Sequence, residues 1–159
     1  MNKLVAYFSA SGSTAKLAKT LAAAADAGLY EIRPETPYER RDLNWMDKKS
    51  RSTVEMQDPN CRPALADADA PIGDADVVFL GFPIWWYREP SIIDSFLDAY
   101  DFSGKTVVPF FTSGGSGLGE GQDRIAKLAK GAKVLPGKRF SARASESELK
   151  SWIAGLNLD

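Results

Sequence analysis

The sequence predicts an α/β fold in which a five-stranded parallel sheet is covered by helices on both faces. Three observations carry this. Short apolar runs alternate with stretches of helical periodicity along the chain. Two of those runs, Leu4–Phe8 and Val77–Phe82, are apolar at successive positions, as strands buried on both faces are. No Asn-Gly or Asp-Gly hairpin turn joins neighbouring strands, so they need crossovers, which are right-handed as a rule.

The elements follow in order. Leu4–Phe8 is the first strand. It runs into Ser9-Ala10-Ser11-Gly12-Ser13-Thr14, four hydroxyls around one glycine, and then into a helix from about Ser13 to Asp26. Leu17, Ala18, Leu21 and Ala22 give that helix its apolar face, and Gly28 suits its stop. Leu29–Arg33 alternates as a second strand ended by Pro34. Residues 34–76 read as an irregular insertion broken by five prolines, with a basic helix from about Tyr38 to Met56. Its Arg40, Arg41, Lys48, Lys49 and Arg51 fit a solvated surface helix, and the other role open to it is a lid or docking element.

Asp76–Phe82 is the third strand, followed by Pro83-Ile84-Trp85-Trp86-Tyr87 and a helix from about Ser91 to Tyr100. Thr106–Thr112 is the fourth strand, although Pro109 cannot donate to a ladder. A glycine-rich loop, Ser113–Gly121, leads to a helix ending near Lys130. Val134-Leu135 opens a fifth strand near Gly137–Phe140, and Glu146–Leu156 forms the last helix, with Leu149, Trp152, Ile153 and Leu156 on one face. The 159 residues suit one domain.

Strand, hydroxyl-rich turn and helix together make a phosphate cradle. The first N–H groups of a helix lack partners within it, and its N-terminus carries partial positive charge. A phosphate placed there collects those donors, and serine and threonine hydroxyls add more. Neither G-x-x-x-x-G-K-[ST] nor G-x-G-x-x-G follows this strand, so a loop of amides and hydroxyls without its own cation suits one phosphomonoester. The simpler alternative is that Ser11 or Ser13 caps the helix.

S-x-S-G-x-T after a first strand resembles the FMN-phosphate loop of flavodoxins, [ST]-x-[ST]-G-x-T, with Ser9, Ser11, Gly12 and Thr14 in register. G-x-P-I-W-W and D-F-S-G-K-T-V-V-P-F-F-T-S-G-G-S-G extend the resemblance over most of the chain, towards a subgroup distinct from the archetypal electron carriers. The resemblance implies a flavodoxin-like three-layer sandwich with strand order 2-1-3-4-5, the order for which flavodoxin itself is the type example of ligand binding at the switch point between strands 1 and 3. It implies FMN as cofactor, with Ser9, Ser11, Gly12, Ser13, Thr14 and Ala15 on the phosphate. Pro83, Ile84, Trp85, Trp86 and Tyr87 would meet the ring and ribityl chain, and Thr112, Ser113, Gly114, Gly115, Ser116 and Gly117 the pyrimidine edge.

The residues themselves favour the same convergence. The switch-point rule puts ligands beyond the C-terminal ends of strands 1, 3 and 4, where the three most unusual stretches of this sequence lie. Exposed tryptophans are costly unless they cover something, and stacking on a flat ring contributes about 0.5–1.5 kcal/mol beyond area burial. A loop nearly free of side chains lets backbone N–H groups approach a ring edge. Each stretch also has an ordinary reading: one tryptophan of the pair is expected to point inward, and the glycine loop could simply be flexible. Archetypal flavodoxins carry an acidic residue and a tyrosine after strand 4, and this loop has neither. Less negative charge near the ring implies a less extreme low potential.

Composition narrows the rest. Lys plus Arg total 20 and Asp plus Glu 21, a net charge of −1, which recruits neither nucleic acid nor an anionic membrane. Histidine is absent and Cys61 is the only cysteine, which excludes Ser-His-Asp and Cys-His catalysis, histidine metal sites and CxxC redox pairs. No run is long enough to span a bilayer, so the expected compartment is cytoplasmic and reducing. The chemistry would then belong to the cofactor, with no catalytic acid or base and no metal. The expected role is carrying electrons between redox partner proteins or to a small-molecule acceptor, the alternative an NAD(P)H-dependent FMN or quinone oxidoreductase. A receiver-like signalling domain shares the topology, but Ser9 and Pro83 stand where it needs acidic residues. The oligomeric state is not encoded in any pattern found.

Overall fold

Alternation within each central strand decides the layers. Leu4, Ala6 and Phe8 point to one face of the sheet with Val78, Leu80 and Phe82, while Val5, Tyr7 and Phe79 point to the other. A sheet apolar on both faces needs cover on both, and the computed structural model, which describes residues 1–158, shows four helices supplying it, two on each face. β1 (Lys3–Tyr7) pairs with β2 (Gly28–Glu31) and β3 (Val77–Pro83), and β3 pairs with β4 (Thr106–Thr112), all parallel. The order is β2-β1-β3-β4-β5, as expected. α1 (Ser13–Ala25) and α5 (Glu146–Gly155) pack through Leu17, Leu21 and Leu149 on one face. α3 (Ser91–Ala99) and α4 (Gly121–Leu128) cover the other through Ile92, Phe96 and Ile125. Gly81 is required in β3, because a Cβ there would sit 2.2 Å from the Phe110 ring.

The fifth position is divided. β5 (Lys133–Val134) pairs with the first half of β4, and β6 (Lys138–Arg139) with the second half. Pro109 explains the division. On this side of β4 the N–H groups of alternate residues serve the neighbouring strand, and Leu135 donates to the Val107 carbonyl at 2.9 Å. In a continuous parallel ladder the Leu135 carbonyl would accept from residue 109, which has no N–H to give. Gln122 of α4 takes over: its Nε2 donates to the Leu135 carbonyl at 3.0 Å, and its Oε1 accepts from Gly137 N at 2.8 Å. One side-chain amide thus satisfies both backbone groups at the break.

The insertion departs from the single helix expected over Tyr38–Met56. It holds a 3₁₀ turn at Arg40–Leu43, an irregular stretch, and α2 (Arg51–Gln57). Side chains compete there for backbone donors: Asp42 accepts from Glu39 N, Asn44 from Met46 N and Asp47 from Lys49 N, at 2.8, 3.1 and 2.9 Å. Ser50 then caps α2. Among the described residues no helix is long and apolar enough to cross a membrane.

Replacing Gln122 with leucine orphans a half-buried donor and a half-buried acceptor. We expect a loss of about 0.5–1.5 kcal/mol in unfolding free energy, read as a lower urea midpoint with an unchanged slope.

Candidate functional site

The register of β1, β3 and β4 aligns Tyr7, Gly81 and Phe110 in one row, so the segments that follow leave the sheet side by side. Ile84 N donates to the Thr112 carbonyl at 3.0 Å, and Thr14 and Thr112 join hydroxyls at 2.9 Å. Thr14, expected on a phosphate, is buried and occupied in tying the first loop to the third.

Gly12 turns the chain from β1 into α1 with φ 98°, a left-handed conformation that L side chains resist. Its N–H donates to Ser9 Oγ at 3.1 Å. No side chain caps α1, so Ser11 and Ser13 are not the helix caps that the simpler reading suggested. The first amides of a thirteen-residue helix are left to a ligand or to water.

Two clefts meet along Ile84 and Trp85. The first, about 370 Å³, is walled by Ser11, Ser13, Pro83, Thr112 and Ser113, and on its far side by Arg139. The second, about 460 Å³, is walled by Trp86, Tyr87 and Ser116, and from the insertion by Leu43, Trp45 and Ser52. The structure therefore brings together residues of all three expected loops. Ser9 lines a separate depression beside β2 with Phe8 and Tyr38, and Ala15 packs on the α5 side of the sheet. Gly114, Gly115 and Gly117 line neither cleft; a Cβ on any of them would meet nothing within 4 Å, so their backbone faces open space.

Arg139, Leu43, Trp45 and Ser52 are among the wall residues that lay outside the sequence reading. Arg139 supplies the cation that the loop itself lacks. Its pairing opposite Phe111 sets it at the C-terminal end of β4, where it donates to the Ser113 carbonyl at 3.1 Å and to Ser113 Oγ at 3.2 Å. Its only mark in the sequence is its place near the end of a predicted strand. Leu43, Trp45 and Ser52 come from the insertion, whose lid reading was the sole hint of them.

The Trp85–Arg88 turn is strained. Trp85 and Arg88 exchange backbone hydrogen bonds at 3.0 and 3.1 Å, and both central residues, Trp86 (φ 46°) and Tyr87 (φ 65°), are left-handed. Bulky side chains avoid that region unless their surroundings impose it. The result is an asymmetric pair. Trp85 packs inward, edge-on to Phe8 and Tyr38 with ring centroids 5.6 and 5.4 Å away, while Trp86 is exposed and Tyr87 is 75% exposed. Gly119 backs the turn closely, since a Cβ there would lie 2.7 Å from the Tyr87 carbonyl oxygen.

A buried charge cluster anchors the turn below. Arg88 donates to the carbonyls of Glu89 and Met56 at 3.0 and 3.2 Å and lies 3.5 Å from Asp94. Arg124 bridges Glu89 at 3.0 Å and Asp94 at 2.5 Å. Glu89 Oε1 and Asp94 Oδ1 are left without a hydrogen-bond partner. Burial first, then the hydrogen bond from Asp94's side and its charge, push Glu89 up to about 8 against the pull of Arg124.

This has a measurable sign. The folded state holds a proton that the unfolded chain releases above pH 4.5, so the stability this group contributes is complete below that value and lost as pH rises through about 8. Glu89→Gln, always neutral, should flatten that fall: its melting temperature relative to the parent rises across this window, measured by circular dichroism.

Known proteins share this fold. A 43% identical protein from Bacteroides uniformis ATCC 8492, provisionally classed as a flavoprotein, superposes with a TM-score of 0.90 over 96% of this chain and 97% of its own. A second such protein, from Bacteroides eggerthii DSM 20697, is 44% identical with a TM-score of 0.91 over 97% and 96%. A flavoprotein from Lactobacillus acidophilus NCFM, crystallised in complex with FMN, shares the fold at 22% identity and a TM-score of 0.70 over 96% and 98%. No curated protein matches the chain. The family model described as flavodoxin matches residues 2–156, and the chain belongs to the flavodoxin family.

Proposed function

We propose that this protein binds FMN across the two clefts and carries electrons between redox partners. The observation that carries the reading is the uncapped start of α1 opening, with Ser11, Ser13 and Arg139, onto a cleft that continues between aromatic walls. The residues fit the cofactor. Amides, two hydroxyls and a guanidinium suit a dianionic phosphomonoester. Trp86 and Tyr87 on one side and Trp45 on the other suit a flat ring. Gly115 N donates to Ser113 Oγ at 3.2 Å, and the backbone of Gly114 and Gly117, where a Cβ would meet nothing within 4 Å, is open to the ring's polar edge. The Lactobacillus acidophilus protein of this fold, crystallised with FMN, supports the choice of ligand.

FMN, when bound, supplies the electron-transfer chemistry itself. The protein's part is to hold and screen it. Arg139, fixed on Ser113, places a positive charge at the phosphate end. The aromatic walls exclude water from the ring end. Tyr87 and Trp45, 75% and 72% exposed, bound the rim where a partner or an acceptor approaches.

A second reading, an NAD(P)H-dependent FMN or quinone oxidoreductase, is favoured by one observation. Leu43, Trp45 and Ser52 line the second cleft together with Trp86 and Tyr87, and an insertion placed there can shape a pocket for a flat organic molecule. Anaerobic mixing of the flavin-loaded protein with NADPH separates the two: rapid bleaching of the flavin supports the reductase, inertness the carrier.

Titration of the apoprotein with FMN, followed by flavin fluorescence, tests the ligand. Tight one-to-one binding is expected, and Arg139→Ala should weaken it by about tenfold, about 1.4 kcal/mol, while leaving riboflavin, which lacks the phosphate, unaffected.

A further inference from the structure

Three buried side-chain oxygens among the described residues have no hydrogen-bond partner: Glu89 Oε1, Asp94 Oδ1 and Ser52 Oγ. The first two belong to the buried charge cluster, where Arg124 holds the other oxygen of each carboxyl. Ser52 has no such neighbour. It is 1% exposed, and it lines the second cleft between Trp45 and the Trp86–Tyr87 turn. A buried hydroxyl without a partner is unfavourable, and nothing inside the protein repays it.

The segment around Ser52 is held firmly. Ser50 Oγ caps α2 by accepting from Thr53 N and joins Thr53 Oγ1 at 2.9 Å. Arg51 lies 3.9 Å from the centroid of the Tyr38 ring, pairs with Glu55 at 3.1 Å and donates to the Thr36 carbonyl at 2.6 Å. The Met56 carbonyl receives Arg88, and the Glu55 carbonyl receives Ser91 Oγ at 3.3 Å. Neighbours on both sides of Ser52 are thus engaged, while Ser52 lines the cleft with its buried hydroxyl left without a bond.

We propose that Ser52 is the insertion's polar contact to the flavin ring, its hydroxyl completing its hydrogen bonding with a ring nitrogen or oxygen when the second cleft is filled. The proposal rests on the FMN reading of that cleft. A hydroxyl both donates and accepts, so the contact serves a bare ring nitrogen or carbonyl and an N–H equally well. It also gives the insertion a role that its surface charge does not explain. α2 would bring a hydroxyl to a cleft that Ser116 of the glycine-rich loop also lines.

Ser52→Ala is the test, because alanine removes only an unpartnered group. Apoprotein melting should be unchanged or raised. Affinity for FMN should fall about tenfold, and affinity for riboflavin by the same factor, since the contact is to the ring; Arg139→Ala instead affects FMN alone. Should Ser52→Ala bind both flavins as the parent does, the Ser52 assignment is overturned while the FMN reading stands. An apoprotein destabilised by Ser52→Ala would also overturn it, by showing that the hydroxyl serves the fold. A parent protein that binds neither flavin sinks the cleft reading first, and this proposal with it.

Discussion

The row formed by Tyr7, Gly81 and Phe110 governs what this molecule can do. Parallel strands in one register end at one level, so whatever the chain carries after β1, β3 and β4 is delivered to the same place. Gly81 is the critical member, since a side chain there would push the Phe110 ring away and disturb β4 just before its loop. The Thr14–Thr112 hydroxyl contact and the bond from Ile84 N to the Thr112 carbonyl then fasten the three departing segments to one another. A site made of short loops gains its precision from this framework rather than from the loops themselves.

The aromatic turn has to be imposed, because left-handed tryptophan and tyrosine are unfavourable on their own. Three contacts impose it. Trp85 is wedged against Phe8 and Tyr38, Gly119 closes behind the Tyr87 carbonyl, and Arg88 is buried among Glu89, Asp94 and the Met56 carbonyl. Buried ion clusters add little net stability compared with apolar packing, but removing one member leaves the others stranded. Such a cluster tolerates few alternative arrangements, which suits a turn that must present two aromatic rings in one orientation.

Pro109 shows how a local defect is absorbed. It removes a donor from the edge of a central strand, the neighbouring strand splits into β5 and β6, and Gln122 supplies the missing bonds. The split is useful to the site, because β6 starts afresh beside the second half of β4 and carries Arg139 to the first cleft.

Much of this was legible in the chain alone. The doubly apolar strands, the helical faces of α1 and α5, and the three unusual loops follow from periodicity and residue type, which are local properties. The order of the strands followed from the family pattern, and the inward turn of one tryptophan from the cost of exposing two. Tyr38–Met56 does not form the one helix expected between the prolines, because the side chains of Asp42, Asn44 and Asp47 take up backbone donors in local turns.

What the sequence determined by itself was therefore which segments become strands and helices and which loops carry unusual chemistry, since these depend on neighbours a few positions away. Only the tertiary structure decided that Arg139 lines the first cleft, that Thr14 ties two loops together, and that Ser52 lies unpartnered in the lining of the second. Those outcomes join residues 26 to 98 positions apart, and no local pattern encodes a meeting that depends on strand register and on how an insertion folds back over the sheet edge.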